Sequence, residues 1–184
     1  MRNYHYSLLS LLHNHHCNRQ SIQQIHAHLV TAAAIHQTPP PITLWTTILR
    51  HYSHGNSPEE AFLLYKHHLH PTTQFHADSF TYAFLIKSCA NSQLPISGSE
   101  LHCMTFKSGF ESHVYVQTAL VNMYVVCGCL HECRKVFDEM PERNLVTWNV
   151  LVTGLAKQGE IALARSFFDA MPIKNVVSWS AMAD

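Results

Sequence analysis

The sequence lacks any apolar run of the roughly 18 residues that a membrane-spanning helix requires. It also lacks an excess of positive charge, because 12 Lys and Arg residues balance 12 Asp and Glu residues. A protein that coats nucleic acid through phosphate contacts alone is strongly basic. The two absences argue against a membrane partner and against a non-specific polycation. Any contact with nucleic acid must therefore be local.

The six cysteines lack the spacing of a disulfide framework, and no apolar secretory leader precedes them, so we expect reduced, buried thiols. Cys127, Cys129 and Cys133 cluster with His131, but no second ligand pair follows at zinc-finger spacing. No phosphate-cradling glycine loop or nucleophile triad stands out. We therefore assign no metal site, no cofactor, no small-molecule substrate and no catalytic residue, and we predict that the chain is not an enzyme.

An internal repeat organises the chain. The segment 144–149, Asn-Leu-Val-Thr-Trp-Asn, returns 31 residues later as Asn-Val-Val-Ser-Trp-Ser over 175–180. A fixed period in this range is the signature of supersecondary units that stack on their neighbours to bury a continuous core. The same shift aligns further pairs, namely Gly128 with Gly159, Phe137 with Phe168, Asp138 with Asp169, Met140 with Met171 and Pro141 with Pro172.

Each unit shows apolar residues at helical spacing on both sides of a turn signal, which predicts a helix, a tight turn and a second helix. The predicted units are a degenerate long unit at 3–41, then 42–78, a long unit at 79–113, a short unit at 114–144, a unit at 145–175 and an incomplete unit at 176–184. In the first unit, Ser21 and Gln24 form a capping-box pattern that predicts a helix start at Ser21. The last residues lack a polar capping element, so we interpret the chain as truncated.

Two motifs give these units a family resemblance. Val146-Thr147-Trp148-Asn149 opens a first helix, and Phe137-Asp138-Glu139-Met140-Pro141 closes a second. Together they resemble pentatricopeptide repeats, and the unit lengths of 37, 35 and 31 residues resemble the plant PLS subgroup of normal, long and short repeats. The tetratricopeptide pattern W-x2-L-G-x2-Y has no copy here. The resemblance implies an all-α fold, a right-handed α-α superhelix of helical hairpins.

The resemblance further implies that each repeat reads one base of single-stranded RNA. In this family the reading residues are the one after the aromatic of the first helix and the last residue of the repeat. In the second unit these are Thr46 and Asp78, a combination that in the family favours guanine. In the third unit they are Ala83 and His113, which match no readable combination.

The fourth and fifth units supply the other candidate readers. Thr118 with Asn144 favours adenine in the family, and Asn149 with Asn175 favours a pyrimidine, cytosine more than uracil. The expected target is therefore G, any base, A, pyrimidine, from 5′ to 3′. Asp and Asn are also favoured helix caps, so Asp78, Asn144 and Asn175 can serve both roles.

The resemblance also implies partners and a compartment. We expect single-stranded organellar RNA and other RNA-editing proteins as partners, in mitochondria or chloroplasts. The first 58 residues lack Asp and Glu, as in a transit peptide, but the first repeat begins too early to leave room for a separate one. Two other interpretations stay open, a helical-repeat scaffold for protein partners and a truncated product without function. Trp45, Trp148 and Trp179 recur at one position, which predicts packing between helices.

Overall fold

The computed structural model describes residues 2–13, 19–36, 41–55, 57–70 and 76–183. Every regular element in these ranges is a helix, so the predicted all-α fold class is confirmed. The elements are α1 (Arg2–His13), α2 (Arg19–His36), α3 (Ile42–His54), α4 (Glu59–Leu64), α5 (Ser79–Asn91), α6 (Pro95–Lys107), α7 (Val114–Val126), α8 (Leu130–Glu139), α9 (Leu145–Lys157), α10 (Ile161–Ala170) and α11 (Val176–Ala183). Helix α4 continues directly as a π-helix over Tyr65–Leu69.

In five of the six predicted units, the first helix begins at the predicted unit start. Helices α3, α5, α7, α9 and α11 begin at residues 42, 79, 114, 145 and 176. The repeat boundaries themselves stay a prediction. The capping box at Ser21 is wrong, because α2 already begins at Arg19. Arg19 and Gln20 are good helix formers, and they extend the helix upstream so that Ser21 lies inside its first turn.

The chain forms two compact units, residues 1–88 and 89–184. In the compact unit formed by residues 1–88, α3 packs against α1, α2 and α4. Its buried residues include Leu44, Ile48 and Leu49, which lie on the apolar face of α3. Burying this face stabilises the stack, because each fully buried aliphatic side chain contributes about 1.5–3 kcal/mol.

In the compact unit formed by residues 89–184, α7 packs on α8 and α9 packs on α10, so each pair forms a helical hairpin. Helix α9 also packs against α7 and α11, which stacks neighbouring hairpins side by side. Phe137 and Phe168 are the largest fully buried side chains in this unit, and they hold corresponding positions in α8 and α10. The repeated sequence thus produces a repeated core.

The turns inside the hairpins require a glycine. Gly128 has φ 73° and Gly159 has φ 82°, a left-handed conformation that other residues adopt only at a cost. After α7, Cys129 N donates to Tyr124 O at 2.8 Å, and after α9, Glu160 N donates to Leu155 O at 3.0 Å. This six-residue bond is the Schellman pattern, which satisfies a free carbonyl at the helix end.

None of the helices in the described ranges combines the length and the apolar character that a bilayer crossing demands.

Candidate nucleic-acid interface

The six predicted reading residues occupy two recurring places in the fold. Thr46, Thr118 and Asn149 are each the fifth residue of a first helix, in α3, α7 and α9. The other three, Asp78, Asn144 and Asn175, are each the residue immediately before the next first helix, α5, α9 or α11. In each of these units, one predicted reader therefore lies in the first helix and the other lies just before the first helix of the next unit.

The residue before each helix acts as its N-terminal cap. Asp78 Oδ1 accepts hydrogen bonds from Thr81 N at 2.8 Å and from Thr81 Oγ1 at 2.6 Å. Asn144 Oδ1 accepts from Thr147 N at 2.9 Å and from Thr147 Oγ1 at 3.1 Å. The predicted capping role of these residues is therefore confirmed.

Capping determines which atom of the side chain remains available to a ligand. Because the cap occupies Oδ1, Asp78 keeps Oδ2 for an outside contact and Asn144 keeps Nδ2. A carboxylate oxygen only accepts hydrogen bonds, whereas an amide nitrogen only donates them. Both residues are exposed, so the remaining atoms can meet a ligand of opposite hydrogen-bonding character.

In the fourth unit a hydrogen-bond chain joins the two readers. Thr147 Oγ1 lies 2.7 Å from Thr118 Oγ1 and 3.1 Å from Asn144 Oδ1. Thr118 Oγ1 also donates to Val114 O at 2.7 Å. Thr147 is fully buried at the contact of α9 with α7, so packing between the two hairpins holds these hydrogen bonds in place.

In the fifth unit no corresponding series of hydrogen bonds links the two predicted readers within the described residues. Asn175 Oδ1 accepts from Ser178 N at 3.0 Å, but Ser178 Oγ donates to Asn175 O at 2.8 Å. The Asn149 Oδ1 atom is shielded from solvent and accepts no hydrogen bond in the described part of the chain. An unpaired buried acceptor is unfavourable, so the Asn149 amide is a group that a ligand or water would satisfy.

In the second unit, the Thr46 hydroxyl donates to Ile42 O at 3.0 Å, one turn back in its own helix. Threonine commonly makes this bond inside helices. In the third unit, the side chain of His113 makes no capping bond to α7, and its Nδ1 atom is shielded without a partner among the described residues.

Sequence reasoning missed an exposed apolar residue that recurs near the start of several first helices. The second residue of a first helix is an exposed apolar side chain in α5, α7, α9 and α11, namely Phe80, Tyr115, Val146 and Val177. Residues three apart lie on one side of a helix, so each of these lies beside the fifth residue of the same helix. The available signal was an apolar residue off the buried face at the second position of α5, α7, α9 and α11; the second residue of α3 is Thr43.

The recurring tryptophans pack between helices, as predicted. Trp148 meets Phe137 edge to face with ring centroids 4.8 Å apart, and Trp179 meets Phe168 at the same 4.8 Å. Trp45 is buried, whereas Trp179 keeps 59% of its surface exposed. These contacts position the reading residues, because each tryptophan directly precedes the fifth residue of its helix.

Basic side chains fix the segments that lead into two of the caps. Arg143 Nε donates to Phe137 O at 2.8 Å, and its Nη2 donates to Asp138 O at 2.7 Å. Lys174 Nζ donates to Met171 O at 3.2 Å in the following unit. A cation at a helix C-terminus pairs with free carbonyls and with the helix dipole. The residue before Asn144 or Asn175 is therefore tied to the helix it follows.

Cys133 is the buried member of the cysteine cluster. It lies in α8, where its thiol donates to Val121 O at 3.5 Å. Burial raises the pKa of this thiol to about 12, so it stays protonated at neutral pH. A thiol that is not a thiolate is a poor metal ligand and a poor nucleophile.

Comparison with known proteins gives the same repeat. The model of the PPR repeat family matches residues 118–145 and 146–176. A mitochondrial pentatricopeptide repeat-containing protein of Arabidopsis thaliana is 44% identical over 168 residues, covering 84% of this chain and 33% of that protein.

Two further relatives, also from Arabidopsis thaliana, share the name. A chloroplastic/mitochondrial pentatricopeptide repeat-containing protein is 42% identical over 118 residues, which cover 64% of this chain and 18% of the relative. A chloroplastic one is 37% identical over 126 residues, which cover 68% of this chain and 27% of the relative. The chain thus spans a third or less of the length of these relatives.

Proposed function

Because this chain belongs to the pentatricopeptide repeat family, we propose that it binds single-stranded RNA in a mitochondrion or chloroplast, with one base read per repeat. The observation that carries the proposal is that each capping side chain has one polar atom left for a ligand. Asp78 and Asn144 each use one atom for the helix and keep one exposed polar atom of defined character. Base recognition needs such a fixed donor or acceptor.

The chemistry of the two purines supports the base assignments. Guanine carries N–H donors at N1 and N2, which suit the acceptor Oδ2 of Asp78. Adenine carries an acceptor at N1, which suits the donor Nδ2 of Asn144. A wrong purine would place like groups against each other, and such mismatches account for about 1–3 kcal/mol of discrimination. We therefore assign guanine to the second repeat and adenine to the fourth.

The exposed apolar residues near the helix starts supply a surface for stacking. Tyr115 and Val146 lie three residues before the predicted readers Thr118 and Asn149, and proteins hold unpaired bases by stacking them on such side chains. Stacking contributes about 1–3 kcal/mol per base without reading its identity. We propose that these side chains hold the bases in place while the polar readers test their edges.

The remaining family features complete the proposal. Asn149 and Asn175 read a pyrimidine, and the repeats follow the boundaries 42–78, 79–113, 114–144 and 145–175 in a PLS arrangement. The target then runs G, any base, A, pyrimidine from 5′ to 3′, and the RNA belongs to organellar RNA processing or editing. Other RNA-editing proteins are further partners of the whole protein.

A protein scaffold is the second candidate function, and one surface favours it. The exposed apolar residues Ile161, Ile173, Val176 and Trp179 lie on or between α10 and α11. Exposed apolar side chains of this kind often mark contact with another protein. The equal numbers of basic and acidic residues also suit a protein partner better than a phosphate backbone.

Fluorescence anisotropy with short unstructured RNAs tests the proposal. The probes contain G-N-A-C or G-N-G-C, and each is measured at two salt concentrations. We expect preference for the first probe, and Asn144→Asp reverses the preference at the third base by roughly tenfold, because it turns the outward donor into an acceptor. Asn91→Asp adds the same charge elsewhere in the chain and should leave the preference unchanged.

Equal binding of both probes that collapses at higher salt would contradict base reading and leave only phosphate contact. No binding by a folded, monomeric sample would favour the scaffold instead.

A further inference from the structure

Thr147 is a buried polar residue whose side chain lies between the two readers of the preceding repeat. Its Oγ1 atom is 2.7 Å from Thr118 Oγ1 and 3.1 Å from Asn144 Oδ1. The residue itself is fully buried, so it cannot contact RNA directly. It belongs to α9, the first helix of the next repeat. A side chain of one repeat therefore connects the readers of another.

The hydrogens of this cluster limit what the readers can offer to a base. Each hydroxyl carries one hydrogen. Asn144 Oδ1 can only accept, so it takes the Thr147 hydrogen. Thr147 Oγ1 and Val114 O are then the acceptors open to Thr118, each at 2.7 Å. With either acceptor the hydrogen of Thr118 is used inside the protein, so Thr118 presents an oxygen acceptor.

The same cluster fixes the amide of Asn144. Thr147 offers two donors, its backbone N–H and its hydroxyl, and both lie within hydrogen-bonding distance of Oδ1. Turning the amide over would place Nδ2 against these donors and lose the bonds. Nδ2 therefore points away from the cap as a donor. Adenine has a donor at N6 and an acceptor at N1, which complements an acceptor at Thr118 and a donor at Asn144.

We propose that Thr147 is a positioning residue that sets adenine-over-guanine selectivity at the fourth repeat by holding Thr118 as an acceptor and the Asn144 amide as a donor. The inference rests on the proposed RNA-binding function. It adds that the base read by one repeat depends on the third residue of the following helix.

In the second repeat the following helix also has a buried threonine as its third residue, because Thr81 donates to Asp78 Oδ1 at 2.6 Å, so the hydroxyls of that repeat differ from those of the fourth only at the first reader. The Thr46 hydroxyl in α3 donates to Ile42 O, and in the described part of the chain no second hydroxyl fixes it. It can rotate to donate to O6 of guanine, the base assigned to Thr46 and Asp78. In the fifth repeat, Ser178 Oγ is bonded to the backbone of Asn175 and leaves Asn149 without a partner on Oδ1.

Thr147→Val tests the inference, because valine keeps the shape of the side chain and removes the hydroxyl. The readout is the ratio of dissociation constants for the two RNAs that carry A or G at the third base of G-N-A-C. We expect Thr147→Val to lower this ratio roughly fivefold, the factor that corresponds to one net neutral hydrogen bond. Thr147→Ser restores the hydroxyl and should restore the ratio.

A matched control is Thr105→Val in α6. Thr105 is also fully buried, and its hydroxyl donates to His102 O at 2.7 Å. This variant loses a buried hydroxyl without touching a reader, so it should lower the melting temperature and leave the ratio unchanged. Circular dichroism establishes that every variant remains helical.

Three outcomes would overturn the inference. If the unmodified protein prefers adenine and Thr147→Val keeps the full ratio, Thr147 does not position the readers, while the proposed function stands. If Thr147→Val weakens both RNAs equally, its role is structural. If the unmodified protein binds neither RNA, both the function and the inference fail.

Discussion

The fourth and fifth repeats carry almost the same scaffold. Their turn glycines have φ 73° and 82°, and their buried phenylalanines each meet a tryptophan at 4.8 Å. An ion pair four residues apart lies on both second helices, Arg134 with Asp138 and Arg165 with Asp169. These pairs are exposed and add little stability. The residues that form the hairpin are thus nearly all repeated.

The two repeats differ at the readers. In the fourth, Thr118, Thr147 and Asn144 form one connected chain, whereas in the fifth the Asn149 Oδ1 atom is shielded and accepts nothing. The hairpin scaffold and the predicted readers thus depend on different residues. Large apolar side chains and glycines set the hairpin, and a few hydroxyl and amide atoms on the opposite side set what it presents. Three perturbations sharpen this contrast.

The largest expected effect comes from the buried phenylalanines. Phe137→Ala removes a ring that contacts Trp148, Phe167 and Arg143 together, so it should lower the free energy of unfolding by about 3–5 kcal/mol. Phe168→Ala should cost less, because its partner Trp179 is 59% exposed and the site can relax. Urea unfolding of both variants measures the difference. Equal losses would mean that the two cores are energetically identical.

The turn glycines should give a smaller effect of the same size in both repeats. Nothing lies within 4 Å of a Cβ placed on Gly128 or on Gly159, so alanine meets no clash at either position. Its cost is the left-handed backbone alone, about 1–2 kcal/mol. Thermal unfolding of Gly128→Ala and Gly159→Ala should show equal losses. A loss at only one glycine would show that the two turns are not equivalent.

The smallest expected effect is a dependence on pH that the fifth repeat lacks. His102 Nδ1 lies 2.9 Å from Tyr124 Oη, and Leu155 takes the place of Tyr124 one repeat later. Burial lowers the pKa of His102, Lys135 lowers it further, and Glu139 opposes them. Because the folded pKa lies below 6.5, stability falls as the pH drops from about 6.5 towards that lowered value.

His102→Gln should reduce this loss of stability at low pH, because glutamine can form a hydrogen bond with Tyr124 and does not titrate. His131→Gln, an exposed change in α8, is the control and should keep it. The measurement is the unfolding midpoint at pH 7.5 and pH 5.5. An unchanged loss of stability at low pH in His102→Gln would assign the effect to other histidines, such as His26, whose pKa burial also lowers.

Much of the scaffold follows from local sequence. The 31-residue shift places the starts of α9 and α11, and Asp78, Asn144 and Asn175 cap α5, α9 and α11, because a cap and a recurring apolar face act locally. The failure at Ser21 has the same origin, since a cap pattern cannot outweigh good helix formers directly upstream. The tryptophan contacts between helices also follow from their recurrence.

The reader chemistry could not be predicted in the same way. Thr118 and Thr147 are 29 residues apart, and their contact exists only because α7 packs against α9. The shielded Oδ1 of Asn149 likewise depends on the packing around it. The exposed residues Phe80, Tyr115, Val146 and Val177 were visible in the sequence, but only the fold separates them from the core.

The contact between Thr118 and Thr147 crosses the boundary at residues 144 and 145, and this bears on how such genes can exchange parts. A recombination breakpoint at that boundary would transfer Thr118 and Asn144 but leave their shared hydroxyl behind. A breakpoint after Thr147 would carry all three residues together. If the fourth repeat selects adenine as proposed, the segment that carries this preference is offset from the structural hairpin by about one turn of helix.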